Sequence, residues 1–268
     1  MSGVEIRTSR LFSRGRAFIV ALDHGLVMGP LRGIERAAEV VSKVSKGPDA
    51  LQMTPALAQL VKENFASRGG PLFIARLDTT NVWREVGGRS TGYYSMSYTV
   101  KEAVRAGADA VICYLLVGLG NGNTEALNLE KVSEARREAN DYGVPFIVEP
   151  LAVKEGEYES LREPTVLKYL GRFGSELGAD VLKLDFGGDS KQFREVVDAS
   201  FSPIVIRGGP KTKTDLEFLQ MLADALAAGA KGVTVGRNIW QSSDPVVFTE
   251  IVSKVVHEGA DPRNLVNS

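Results

Sequence analysis

The 268-residue sequence has one cysteine, Cys113, and no long apolar segment. A single cysteine excludes a disulfide framework and a cysteine-based metal site within the chain, so Cys113 is expected to be a small core residue. No run of about 18 apolar residues is present, and the N-terminal sequence lacks the apolar segment of a signal peptide. No membrane association is therefore predicted, and a cytoplasmic location is expected.

An excess of charge of either sign is also missing. The chain has 32 Lys and Arg residues against 33 Asp and Glu residues, for a formal net charge of -1. Proteins that bind nucleic acids or anionic membranes in general need a basic face. The balance predicts neither kind of partner. Hydrophobic residues make up 44% of the sequence, which is ordinary for a globular protein.

Short apolar runs recur along the chain and are mostly separated by segments of helical periodicity. Eight such runs predict the α/β class and a single-domain (β/α)₈ barrel, the TIM barrel, over residues 1–268. An open, doubly wound sheet is the alternative, but the turn after the first run has no GxGxxG motif. The predicted strands are Ala17–Leu22, Ala50–Met53, Leu72–Leu77, Ala108–Gly118, Pro145–Pro150, the run around Lys183, Pro203–Ile206 and Gly232–Val235.

Three segments interrupt this pattern. Residues 78–97 are polar and aromatic and too long for a simple turn, which indicates a loop that covers the site or carries a subunit contact. Residues 153–165 are predicted to be a solvated loop leading into a helix that starts near Pro164. The segment from Ser253 is predicted to be a last helix with an exposed end, on which His257 is exposed.

Lys183 lies in the middle of the sixth apolar run, Val181-Leu182-Lys183-Leu184. Burying an ammonium group is costly unless it is paired or loses its proton. One interpretation is a structural lysine paired with Asp185 or another carboxylate. The other is an amine with a lowered pKa that attacks a carbonyl group and forms a Schiff base.

Further polar residues fall at the carboxyl ends of predicted strands, where barrel enzymes place their active sites. An unpaired Glu149 in an apolar strand would have a raised pKa suited to proton transfer, and the alternative is an ion pair with Lys183. Asp23 is expected to bind substrate hydroxyls and assist proton transfer, or else to cap the next helix. His24 is expected to be neutral and to position substrate. Tyr114, in the fourth run, belongs to the same set.

Two glycine turns follow the seventh and eighth runs: Arg207-Gly208-Gly209 and Gly236-Arg237. Glycine exposes backbone N–H groups, a helix start favours anions, and the cationic side chains add charge-assisted contacts. These five residues predict a phosphate site of the kind that barrels build at these two strands. The alternative is that the glycines only serve tight turns.

Four motifs in order resemble the class I (Schiff-base) aldolases of the archaeal fructose-1,6-bisphosphate aldolase type. They are Leu22-Asp23-His24-Gly25, the stretch from Gly178 to Lys183, Gly208-Gly209-Pro210-Lys211 and the stretch from Val235 to Gln241. The resemblance covers nearly the whole chain. One departure is Glu149-Pro150, where the archaeal aldolases usually have a tyrosine before the proline, and this segment is more similar to the tagatose-1,6-bisphosphate and sulfofructose-phosphate aldolases.

The resemblance implies a lyase that cleaves a phosphorylated ketose, first of all fructose 1,6-bisphosphate, through a Schiff base on Lys183. Glu149 with Asp23 would move protons, and Tyr114 is the alternative to Glu149, unless it is a core residue. The iminium withdraws electrons covalently, so no metal or other cofactor is expected. The expected partners are a phosphorylated sugar and further copies of this chain, and a decamer of two pentameric rings is compatible with the family.

Two other functions remain open from the sequence. The first is a synthase or transaldolase that uses a different acceptor aldehyde, as in the 2-amino-3,7-dideoxy-threo-hept-6-ulosonate synthases of the same group. The second is a barrel that binds a phosphorylated sugar without covalent chemistry, in which Lys183 is only a charge partner.

Overall fold

The computed structural model describes residues 2–67, 69–84, 86, 93–119, 122–153 and 161–266. Within these ranges, eight parallel strands close into one barrel with helices around it, which confirms the predicted (β/α)₈ fold. The barrel strands are β1 (Ala17–Ala21), β2 (Ala50–Met53), β3 (Leu72–Arg76), β6 (Ala110–Val117), β7 (Phe146–Ala152), β8 (Val181–Leu184), β9 (Ile204–Arg207) and β10 (Gly232–Val235). Each strand pairs with the next one in this order, and β10 pairs with β1.

The helices begin at residues that cap their free N–H groups. Thr54, Thr99, Thr214 and Asp244 each accept a hydrogen bond from the first turn of the following helix, as N-caps do. No helix of the described ranges is long and apolar enough to cross a bilayer. The helices are α1 (Gly3–Leu11), α2 (His24–Met28), α3 (Ala37–Val44), α4 (Pro55–Leu60), α5 (Glu63–Ala66), α6 (Val100–Arg105), α7 (Gly122–Tyr142), α8 (Pro164–Glu176), α9 (Ser190–Ala199), α10 (Asp215–Ala227), α11 (Arg237–Trp240), α12 (Pro245–Ser253) and α13 (Pro262–Val266).

The barrel interior is filled from below by an apolar layer. Side chains on alternate positions of the strands point inward, and the lower ones form one cluster that Leu11 of α1 joins. The intervening residues point outward and pack against the helices in the larger cluster. The lower interior layer consists of Ala17, Ile19, Ala50, Ile74, Ala110, Ile112, Ile147, Val181 and Val205.

The segment 78–97 starts and ends as a small antiparallel hairpin, β4 (Asp78–Thr80) with β5 (Tyr94–Met96). Its tip includes Trp83, whose side chain reaches the central cavity, so the prediction of a segment that covers the site agrees with the described part. Residues 85 and 87–92 of this segment lie outside the described residues. Residues 154–160 of the charged segment do as well, while the helix after it begins at Pro164 as predicted.

The C-terminal segment contains the predicted last helix, α13, most of whose residues are exposed, but the part of the segment before that helix is buried. A π-helical turn at Lys254–Glu258 continues α12, and its Val255 and Val256 are buried against the barrel. The side chain of His257 is only 4% exposed, and its Nε2 lies 3.1 Å from Asp49 Oδ2. The prediction of an exposed His257 is therefore wrong, because the tail folds back under the barrel, where Asp49 also accepts the backbone N–H of Phe18.

Candidate active site

A polar layer lies directly above the apolar one, two residues further along each strand. The lower positions are aliphatic, whereas the upper ones carry amide, hydroxyl and charged groups, so the same eight strands build a core and then a site. The inward-facing residues of the upper layer are Ala21, Gln52, Arg76, Tyr114, Glu149, Lys183, Arg207 and Thr234.

A cavity opens above this layer, with about 630 Å³ of empty space when its solvent-open mouth is included. It brings together all ten of the predicted site residues, from both the catalytic set and the phosphate-binding set. Its wall includes Asp23, His24, Tyr114, Glu149, Lys183, Arg207, Gly208, Gly209, Gly236 and Arg237, together with Ala21, Val27, Met28, Trp83 and Thr234.

Lys183 stands at the floor of the cavity with 5% of its surface exposed. Its Nζ lies 3.1 Å from Glu149 Oε2 and donates a hydrogen bond of 3.3 Å to Gln52 Oε1. Burial lowers the pKa of the Lys183 ammonium, against the opposing charges of Glu149 and Asp23. Pairing with Asp185 is not found, because Asp185 accepts two hydrogen bonds, of 3.1 and 2.8 Å, from Arg207.

Glu149 is buried on β7 and paired on two sides. Besides Lys183, its Oε2 accepts a hydrogen bond from Arg76 Nη2, and its Oε1 lies 3.7 Å from Arg207 Nη1. Burial alone would raise the pKa of this carboxyl, but the charges of Lys183, Arg76 and Arg207 hold it below its usual value. Glu149 is therefore not the unpaired carboxyl for which a raised pKa was expected, and the alternative, an ion pair with Lys183, is confirmed.

Arg76 is one of two site residues, the other being Gln52, that the sequence did not predict. It ends β3 and is only 1% exposed, with Nε 2.8 Å from Asp23 Oδ2 and Nη1 3.2 Å from Asp78 Oδ1. The available signal was a charged residue at the end of an apolar strand, Leu72–Arg76. For Gln52 the signal was a polar residue inside the second apolar run.

Tyr114 lies beside Glu149 on the neighbouring strand, in direct register with it. Its ring packs flat against the Arg76 guanidinium, 3.8 Å from the ring centroid, and contacts Trp83 at 5.6 Å. Burial raises the pKa of the Tyr114 phenol well above its usual value. Tyr114 is thus a packed core residue that also lines the cavity, and its role as the alternative to Glu149 stays a prediction.

Asp23 and His24 follow β1. Asp23 occupies the N-cap position of α2, but its side chain makes no capping hydrogen bond; it accepts from Arg76 and from Gln52 instead, so the capping alternative is wrong. The His24 ring meets Trp240 edge-to-face at 5.3 Å. Burial lowers the pKa of His24 to about 4, which keeps its imidazole neutral as predicted.

The predicted phosphate turns meet on the side of the cavity formed by β9 and β10. A side chain at Gly236 would come within 2.8 Å of the Ala21 carbonyl oxygen, and Gly209 has a φ of 66°, so both positions require glycine. Asn238 fixes the two turns together by donating to the carbonyls of Gly208 and Pro210, at 3.2 and 2.9 Å.

One part of the phosphate prediction needs correction. The backbone N–H of Gly208 already donates to the Thr234 carbonyl at 2.9 Å, as part of the barrel ladder, and does not face the cavity as a free donor. The Arg207 guanidinium donates from Nε and Nη2 to Asp185 and also lines the cavity, so its phosphate role stays a prediction. Gly209, Gly236 and Arg237 are the other lining residues suited to an anion. Among the residues described, no cluster of three or more His, Cys, Asp or Glu side chains is arranged to hold a metal ion.

Comparison with known proteins agrees with this geometry. The sequence model of the DeoC/LacD family aldolases matches residues 17–242. The chain belongs to this aldolase family. It is 59% identical over 263 residues to an uncharacterized aldolase of Saccharolobus solfataricus, with 97% of each chain covered. It is 33% identical to the 2-amino-3,7-dideoxy-D-threo-hept-6-ulosonate synthase of Halobacterium salinarum, over 97% of this chain and 94% of that one.

A solved structure extends the agreement to the fold. It is an archaeal fructose-1,6-bisphosphate aldolase whose catalytic lysine is covalently bound to the carbinolamine intermediate of its substrate. The aldolase described here superposes on it with a TM-score of 0.81 at 27% identity, over 94% of this chain and 98% of that chain. The protein is thus a class I, Schiff-base aldolase, and the alternative of a sugar-binding barrel without covalent chemistry is overturned.

Proposed function

We propose that this aldolase reversibly cleaves a phosphorylated ketose to dihydroxyacetone phosphate and an aldehyde, with Lys183 as the Schiff-base lysine and fructose 1,6-bisphosphate as the first candidate substrate. The observation that carries the proposal is the buried amine of Lys183, 3.1 Å from the Glu149 carboxylate at the floor of a cavity. A carboxylate at this distance can take the ammonium proton and leave a nucleophilic amine.

The first half of the reaction builds the iminium. The Lys183 amine attacks the ketone carbon, and Glu149 gives the proton it took from the ammonium to the oxygen of the adduct, which becomes a hydroxyl group. Glu149 then takes a second proton from the adduct nitrogen and passes it to the same hydroxyl, which leaves as water as the carbon–nitrogen double bond of a cationic iminium forms. The lysine therefore supplies the electron sink of the reaction through a covalent bond.

The second half breaks the carbon–carbon bond. Glu149 or Asp23, as a carboxylate, removes the proton of the hydroxyl group on the carbon beyond the bond to be broken. The aldehyde leaves, and the bonding electron pair enters the iminium to form an enamine. Protonation of the enamine carbon and hydrolysis by water then release dihydroxyacetone phosphate and the free amine of Lys183.

The phosphate group would lie against the turns after β9 and β10. Gly209 and Gly236 allow a close approach to the backbone, and Arg237 at the start of α11 adds a positive charge beside the cavity. Neutral His24 lines the same region and is suited to a hydrogen bond with substrate.

The acceptor aldehyde separates two candidate activities. A relative at 33% identity is a hept-6-ulosonate synthase, and another, from Thermoproteus tenax, is a class 1 fructose-bisphosphate aldolase at 30%. Glu149 stands where the archaeal aldolases usually have a tyrosine, and this difference favours neither the synthase activity nor fructose-bisphosphate cleavage. A related synthase, or an aldolase for tagatose bisphosphate or sulfofructose phosphate, is therefore the second candidate.

Borohydride trapping tests the proposal directly. Incubation with dihydroxyacetone phosphate and sodium borohydride is expected to add the mass of the reduced adduct to one peptide, the one containing Lys183. The Lys183→Arg variant is expected to lose both the adduct and activity. Lys131→Arg, which changes an exposed lysine paired with Glu134 at 2.7 Å, is the matched control and should behave as the wild type.

Two results would contradict the proposal. An adduct on another lysine would displace Lys183, and an unmodified enzyme whose activity disappears in EDTA would exclude the Schiff-base mechanism. A panel of fructose 1,6-bisphosphate, fructose 1-phosphate, tagatose 1,6-bisphosphate and sulfofructose 1-phosphate, assayed for released dihydroxyacetone phosphate, then ranks the candidate substrates.

A further inference from the structure

The side chains around Lys183 form a closed circuit of hydrogen bonds and ion pairs. Lys183 contacts Glu149, Glu149 accepts from Arg76, Arg76 donates to Asp23, Asp23 accepts from Gln52, and Gln52 accepts from Lys183. The five residues come from β2, β3, β7, β8 and the end of β1. Each member therefore fixes the position of two others, and the amine is held from both directions.

Arg76 is the member that joins the two carboxylates. Its guanidinium is planar and presents donors in fixed directions, so Nε and Nη2 hold Asp23 and Glu149 at a set spacing. Its own orientation is fixed by Asp78, which accepts from Nη1 at 3.2 Å, and by the Tyr114 ring against its face. A lysine has one ammonium group and cannot reproduce this fork.

The circuit has no formal net charge, because the cations Lys183 and Arg76 balance the carboxylates Glu149 and Asp23 and the Gln52 amide is neutral. A proton that moves from Lys183 to Glu149 stays inside the circuit and leaves its total charge unchanged. Arg76 keeps its charge at every step, since a guanidinium does not lose its proton in proteins. The positive group beside Glu149 thus stays constant while Lys183 changes from ammonium to amine to iminium.

We propose that Arg76 is the positioning residue of this active site: its buried guanidinium holds Asp23 and Glu149 on the two arms of the circuit that lead to Lys183. This inference rests on the proposed function of Lys183 and Glu149. On this proposal, the spacing of the two carboxylates around Lys183 is set by Arg76, a residue that lines neither the substrate cavity nor the phosphate turns.

The Arg76→Lys variant tests the inference because it keeps the charge and removes the fork. We expect kcat for the best substrate of the panel to fall roughly tenfold or more, with a smaller change in KM. The acidic limb of the kcat/KM profile should move upward by about one pH unit, because Glu149 loses a charge-assisted hydrogen bond. Arg7→Lys is the matched control: Arg7 donates to the Gly143 carbonyl at 2.8 Å, below the barrel.

A second variant keeps the inference testable if Arg76→Lys does not fold. Asp78→Asn leaves one oxygen for the two donors Arg76 Nη1 and the Tyr114 N–H, so the guanidinium is held less firmly and kcat should fall with a smaller change in KM. A folded Arg76→Lys enzyme with the kcat and pH profile of Arg7→Lys would overturn the inference. So would a folded Asp78→Asn enzyme with the kcat of Arg7→Lys. Failure of the proposed function has a different signature, namely no borohydride adduct on Lys183 in the wild type.

Discussion

The two interior layers of the barrel are built from the same strands, two residues apart, and they differ in almost every property. The lower layer is aliphatic and closed from below by Leu11. The upper layer has three cations, a carboxylate, a phenol and an amide, most of them less than a tenth exposed. Buried charge stabilises a fold only weakly, because desolvation offsets the attraction between partners. The comparison indicates that stability comes from the lower layer and chemistry from the upper one.

Paired substitutions on one strand give the strongest test of this division. Lys183→Met in the upper layer is expected to reduce kcat/KM by about 10⁴-fold or more, because the covalent step is lost. Val181→Ala, two residues below it, should lower the free energy of unfolding and leave the kcat of the folded enzyme close to wild type. Steady-state assays and urea titrations of both variants check this, and a large loss of kcat in Val181→Ala would break the comparison.

A second pair decides between Glu149 and Tyr114 as the group that moves protons. Glu149→Gln should reduce kcat by roughly 10² to 10⁴-fold, as expected when a general acid or base is removed. Tyr114→Phe keeps the ring against Arg76 and should cost less than about tenfold. The two kcat values, measured with the same substrate, give the answer. The opposite ranking would assign the role to Tyr114.

The lower layer should respond to loss of volume. Ile112→Ala removes a fully buried side chain two residues below Tyr114 and is expected to cost about 2–5 kcal/mol of unfolding free energy, from lost transfer energy and the cavity left behind. Chemical unfolding monitored by circular dichroism measures it. Borohydride trapping by the folded fraction should remain intact, and its loss would show that the two layers are not separable.

The smallest expected effect concerns His24 and acid stability. Its pKa falls from 6.5 in the unfolded chain to about 4 in the fold, so between these values the unfolded state binds the extra proton. This contribution to stability is complete above pH 6.5 and is lost as the pH falls toward 4, by about 3 kcal/mol in all. In urea titrations at pH 7.5 and 5, His24→Gln should lose less stability than the wild type. Equal losses would contradict this assignment.

The sequence was sufficient for the barrel and for most of the cavity wall. Apolar runs bounded by glycine or polar residues predicted β2 and β10 with the observed ends, since buried parallel strands need such runs. The role of Arg76 could not be predicted from the sequence, because its partners Asp23 and Glu149 lie 53 and 73 residues away along the chain and no local sequence pattern indicates such pairing. The burial of His257 could not be predicted either, because its contact with Asp49 depends on how the C-terminal segment packs.

The seam between β1 and β10 has a consequence for how the enzyme is made. Residues 17–20 pair with residues 232–235, and the Trp240 indole N–H donates to the Ala21 carbonyl across the same seam. His24 and Gly236, on either side of it, belong to the two ends of the barrel sequence. During synthesis, the edge of β1 that pairs with β10 stays unpaired until residues 232–235 have left the ribosome. The catalytic pocket therefore cannot close before the last barrel strand has been synthesised.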